Sequence, residues 1–120
     1  MDMDTLAKLA PFALRSRAVV VGRQRMCQIR NKLAFVLVTT DITDNSQREI
    51  LQAHKCPVYQ ALTSADIERL FEFHNTKVLG FLRNPVSMSM QKEFKGMCIQ
   101  TAKTRGKPDL AQDKRMEKEE

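Results

Sequence analysis

The sequence predicts an α/β fold: a three-layer α/β/α sandwich on a small mixed central sheet of about four strands. Three observations predict it. Short β-branched apolar runs alternate along the chain with segments of helical spacing. One of those runs, Leu33 to Thr39 (LAFVLVT), is apolar almost throughout, as in a strand covered on both faces. Residues able to cap helices stand just before the helical segments. With 42% hydrophobic residues and only four glycines and four prolines in 120 residues, the chain reads as one folded domain.

Taken in order, residues 5 to 15 (TLAKLAPFALR) carry apolar side chains at helical spacing, and Pro11 is expected to start or kink the second half. Ala18 to Val21 is a short strand that ends at Gly22. Arg23 to Asn31 reads as a helix with Met26, Cys27 and Ile29 toward its apolar side. After the Leu33 strand, Asp44, Asn45 or Ser46 can cap a helix, and Glu49 stands three residues beyond Ser46, as in a capping box. Pro57 to Leu62 is the next strand, and Ser64 to Phe73 the next helix, with Ser64 as cap. Val78 to Leu82 is a fourth strand, and Ser87 to about Thr104 a final helix. Phe71, Phe73, Phe81, Phe94, Tyr59 and the methionines Met88, Met90 and Met97 are expected in the core. Residues 1–104 thus form the domain, and 105–120, rich in charge and poor in apolar residues, are expected to be a disordered tail.

The charge is unevenly placed. Between Asp4 and Asp41 stand Lys8, Arg15, Arg17, Arg23, Arg25, Arg30 and Lys32, with no carboxylate among them. The remainder of the chain is close to neutral, although the whole carries +6. Such asymmetry points to a polyanion, most often nucleic acid. Other classes find little support. No apolar run approaches the roughly 18 residues that span a bilayer, so no membrane partner is expected. The acidic start, MDMD, argues against a secretory signal and for the cytoplasm. Cys27, Cys56 and Cys98 include no CxxC pair, and His54 with Cys56 lacks a second ligand motif, so neither disulfide, metal nor cofactor is expected. Nucleotide-loop and hydrolase motifs do not occur. Asp41, Asp44 and Glu49 are placed for helix capping rather than acid–base chemistry, so no enzyme activity is expected.

The segments VVVGRQ, KLAFVLVTTDITDNSQREI, CPVYQALTSADIERL and KVLGFLR resemble, in order and spacing, the ribosomal protein L-seven-Ae/L-thirty-e superfamily. The resemblance covers about residues 6 to 100. It implies an α/β/α sandwich and, as in many members, binding to kink-turn RNA. In members that bind kink-turns, a Thr-Asn-Glu-like segment comes after the glycine, and a lysine stands one helical turn later. The positions that match here are Arg23, Gln24, Arg25 and Gln28. Gln24 keeps an amide, but Arg25 stands where the family has an acid, and guanidinium has five donors and no acceptor. The resemblance also implies a loop over an extruded nucleotide, which we match to Arg83–Met88, with Pro85 and Val86 as apolar contacts.

The expectation is therefore a non-catalytic RNA-binding protein. Its site would comprise Gly22, Arg23, Gln24, Arg25 and Gln28, together with Arg17, Lys32, Asn45, Pro85 and Val86. Its partner would be structured RNA, ribosomal or another non-coding kind, with a possible place on the ribosome and no DNA specificity. A protein-interaction module on the same fold, with specific RNA readout lost, is the competing expectation.

Overall fold

The structure, a computed structural model, describes residues 2–101. The expected tail at 105–120 lies outside the described residues. The chain begins with α1 (Met3–Arg15), β1 (Val19–Val20), α2 (Arg23–Gln28), a 3-10 turn (Arg30–Lys32) and β2 (Leu33–Val38). It continues through α3 (Asp44–Ala53), β3 (Val58–Gln60), α4 (Ser64–Phe71), β4 (Val78–Leu82), α5 (Pro85–Glu93) and β5 (Cys98–Gln100). The sheet runs β1-β4-β2-β3-β5. It is parallel only between β2 and β3 and antiparallel elsewhere.

Two apolar layers flank this sheet. On one side Leu6, Ala10 and Ala13 of α1, Ile67 and Phe71 of α4 and Met90 of α5 pack against Phe35, Leu37, Leu79 and Phe81. On the other side Met26 of α2 and Ile50 of α3 cover Leu33, Val36, Val38, Val58 and Val78. All six residues of β2 are buried, as befits a central strand with both faces covered. Between Leu33 and Phe35 the ladder with β4 slips by one residue, a bulge at Ala34. The bulge turns Phe35 to the α1 side, where it stacks on Phe81 with ring centroids 4.5 Å apart.

The mixed three-layer sandwich is as expected, with several corrections of detail. The sheet has five strands, not about four. The helix expected from Ser87 to Thr104 is instead α5, which stops at Glu93; Gly96, at φ +89°, turns the chain back, and β5 pairs with β3. The caps of α3 and α4 are Thr43 and Thr63, not the polar residues after them; Thr63 forms a reciprocal capping box with Asp66. Pro11 does not divide α1, since Leu6, Ala10 and Ala13 hold both halves on one buried stripe. Phe71, Phe81, Phe94 and Met90 are core residues as expected, whereas Phe73, Tyr59 and Met97 are half-buried and Met88 is 41% exposed.

Candidate nucleic-acid interface

β1 ends at Val20, beside Gly80 of β4, so Gly22 emerges at the end of the sheet where β4 begins. Gly22 has φ +100°, a left-handed backbone that favours glycine, and no atom stands within 4 Å of where a side chain would begin. The turn is therefore open as well as conformationally demanding. The next element, α2, is six residues long and anchored by one buried side chain, Met26. Arg23, Gln24, Arg25, Cys27 and Gln28 are all exposed. Asp2, Thr43, Thr63 and Asn84 cap the other four helices, while α2 has no side-chain cap.

Arg23 Nη1 donates to Glu49 Oε1 at 2.7 Å, which ties the start of α2 to α3. Asn45 lies one turn before Glu49 on the same face of α3, so it stands toward the Gly22 end. Its side-chain oxygen accepts from Arg48 at 3.2 Å. Arg25 makes no ion pair among the described residues. The structure thus brings together Gly22, Arg23, Gln24, Arg25 and Asn45.

The other expected residues lie elsewhere, and the topology explains why. Because β4 runs antiparallel to both β1 and β2, the chain leaving β1 sits beside the chain entering β4. Pro85 and Val86 come after β4 and are at the opposite end of the sheet from Gly22; Val86 is also packed against the core. The loop matched from the sequence thus lies at the other end of the sheet from the Gly22 turn. Arg17 precedes β1 and Lys32 precedes β2, so they too belong to the opposite end, and Gln28 lies at the far end of α2 from Gly22.

The loop that does face Gly22 joins α4 to β4. A cavity of about 270 Å³ is lined by Val21, Gly22, Arg23, Asn75, Thr76, Lys77 and Val78. Glu72 and Asn75 hold this loop in left-handed conformations at φ +63° and +54°, and His74 Nδ1 lies 3.2 Å from Glu68 Oε2. Lys77 Nζ reaches Asp41 Oδ2 at 3.3 Å. Asp41 also accepts from the Ser64 hydroxyl at 2.6 Å and the Ser64 backbone N–H at 3.2 Å. The Ser64 hydroxyl and then Lys77 hold its carboxyl well below the usual carboxylate range, so it stays charged. Asp41 therefore works as a clamp joining the end of β2, the start of α4 and the loop that walls the Gly22 cavity. The cue for Asn75–Lys77 was weak in the sequence: a polar loop of ordinary composition.

No protein-family model matches the chain, and no curated protein does. Among solved structures, the fold is similar to that of a protein with unknown function from Bacillus halodurans, with a TM-score of 0.66 at 17% sequence identity. The match covers 76% of this chain and 96% of that one. A likeness at this identity establishes a shared fold, the α/β/α sandwich.

Proposed function

We propose that the chain is a non-catalytic RNA-binding protein that contacts structured RNA through the Gly22 turn and the basic helix after it. One observation carries this reading: all seven bases between Asp4 and Asp41 are exposed, and only Arg23 has a carboxylate partner among the described residues. Unpaired surface cations repel one another, and phosphate relieves that repulsion while releasing counterions. The open Gly22 backbone, with Arg25 beside it and the Asn75–Lys77 loop facing it, suits close approach of a sugar–phosphate chain. The resemblance to the L-seven-Ae/L-thirty-e superfamily favours the same edge. Arg25 removes an acceptor from that edge, but Glu49, drawn in by Arg23, brings a carboxylate back to it from α3. Under this reading the protein is ribosome-associated or serves another non-coding RNA in the cytoplasm.

The test is the salt dependence of binding to a structured RNA hairpin. Changing Arg23 and Arg25 to Ala should lower the log–log salt slope by about one to two, near 0.9 for each duplex phosphate no longer neutralised. Stability should change by less than about 1 kcal/mol, because the Arg23–Glu49 pair is solvent-exposed. Wild-type protein with no salt-dependent RNA affinity would refute the reading. A second reading, a protein-interaction module, is favoured by the replaced acidic position at Arg25 and by Phe12, which is 52% exposed on α1. It predicts a stable protein complex insensitive to salt.

A further inference from the structure

The two ends of the sheet are unlike in charge. At the end opposite Gly22, where the chain past β5 also leaves, the connections among the described residues are Ser16–Ala18, Ile29–Lys32, His54–Pro57 and Arg83–Asn84, and not one of these contains an acidic residue. With Arg15 at the end of α1 they present Arg15, Arg17, Arg30, Lys32, Lys55 and Arg83, every one exposed. None has an ion-pair partner among the described residues; the four pairs that form involve Arg23, Arg69, His74 and Lys77. Among the described residues this end therefore carries an unbalanced positive field.

This end is also concave. A cleft of about 450 Å³ opens between the α2–β2 connection and the end of α3, lined by Arg30, Asn31, Leu33, Gln52, Ala53, Lys55 and Cys56. Its chemistry is specific. Arg30 and Lys55 supply charged donors, while Asn31 and Gln52 supply amides that both donate and accept. That combination fits a nucleotide, with its phosphate on the bases and its sugar or base edge on the amides. The volume falls in the range of small-molecule clefts, about 300–1,000 Å³. A flat bilayer surface would leave such a hollow unfilled.

From these observations we infer that the acid-free end is a second RNA-binding surface, with the Arg30–Lys55 cleft seating one nucleotide of a strand distinct from that at Gly22. The inference rests on the RNA-binding reading and extends it: two faces at opposite ends of the sheet let one protein hold two RNA segments together.

The experiment uses the full chain and two probes, a labelled single-stranded oligouridylate and a structured hairpin, titrated over a range of salt. Arg30→Ala with Lys55→Ala should weaken oligouridylate binding at least tenfold and lower its salt slope by about 1.4, near 0.7 for each phosphate. Arg25→Ala should weaken hairpin binding and leave the oligouridylate slope unchanged. Wild-type protein should bring labelled hairpin and oligouridylate into one complex, and the cleft variant should not. Photocrosslinking of wild-type protein to thiouridine-containing oligouridylate should mark peptides spanning Arg30 to Leu33 or His54 to Cys56, which reports on the cleft even if the variant folds poorly. If hairpin binding needs Arg25 but oligouridylate binding ignores the cleft variant and crosslinks map elsewhere, the second surface is wrong while the first stands. No RNA binding at all would remove both. Binding of phosphatidylserine vesicles that is lost in the cleft variant, with RNA binding retained, would also overturn it.

Discussion

Replacing Gly80 with alanine tests how α2 is seated on the sheet. Gly80 lies in β4 opposite Val36 of β2 and Val20 of β1. A methyl group there would stand 2.9 Å from Leu33 Cδ2 and 3.3 Å from both Cγ and Cε of Met26. Met26 is the buried residue of α2, so this glycine marks the contact between helix and sheet. Backbone conformation is no obstacle, because Gly80 is not among the positive-φ residues. Alanine would by itself narrow the unfolded ensemble and stabilise the protein by about 0.4–1 kcal/mol. Overpacking opposes that gain and typically costs about 1–3 kcal/mol. The nearest atom is the tip of a leucine side chain and the others belong to a flexible methionine, so part of the strain relaxes. A net loss of about 1 kcal/mol should result, or roughly 4–8 °C in Tm for a domain near this size.

Urea unfolding followed by circular dichroism reads this directly, as a lower midpoint with an unchanged slope. The mechanism has its own check. In a Leu33→Ala background the 2.9 Å clash is gone, so Gly80→Ala should cost little or stabilise. The coupling between the two sites should reach at least about 0.5 kcal/mol, as for residues in contact. Equal cost in both backgrounds, or no cost in the wild type, would show that Gly80 does not set the approach of α2.

His54 is 1% exposed with neither ring nitrogen hydrogen-bonded among the described residues, and burial, then the Arg30 charge, pushes its pKa below the usual 6.5. The unfolded chain therefore protonates first as pH falls, so stability holds above about pH 6.5 and declines below it until the folded pKa is passed. Urea midpoints from pH 7.5 to 5 should show the decline, and His54→Leu should flatten it; an identical decline in that variant would reassign the effect. Thr63→Ala removes one side of the capping box with Asp66 and should cost about 1 kcal/mol in the same assay. A Thr63→Ser control should keep most of that stability, and a loss as large as with alanine would argue against the cap.

Much of the fold was legible because it is written in local pattern. Leu33–Val38 reads as a central strand since its burial is unbroken, and Val78–Leu82 has the expected bounds. β5 was not legible: three residues at a sheet edge, Cys98–Gln100, offer too short an alternation to compete with the apparent helical spacing of Met90, Phe94 and Met97. The caps were displaced, by one to three residues at α3 and by one at α4, because Thr43 and Ser46, or Thr63 and Ser64, are all competent cappers, and backbone geometry chooses among them. The candidate site divides the same way. Gly22 and its arginines are readable from a strand, a glycine and a helix in sequence. That Asn75–Lys77 faces Gly22 and Pro85 does not depends on β4 lying antiparallel between β1 and β2, a long-range pairing no local pattern reveals.

The same topology bears on why the acid-free end exists. α1, α3 and α4 start at or toward the Gly22 end, where helix dipoles favour negative charge. Acids are used there accordingly: Asp2 caps α1, Asp4 and Asp44 stand in first turns, Asp66 completes a capping box, and Asp41 receives the start of α4. α1, α2 and α3 end at the other side, and bases are favoured near helix ends by about 0.3–1 kcal/mol each. That accounts for Arg15 at the end of α1 and for Lys55 just past α3. It does not account for Arg83, which stands one residue before the Asn84 cap of α5 and so opposes the dipole there. Capping electrostatics therefore explain why carboxylates are drawn away from this end, but only part of why so many bases are gathered on it. The second surface inferred above would use that remainder, with the Arg30–Lys55 cleft as the place where the described residues leave room for an anion.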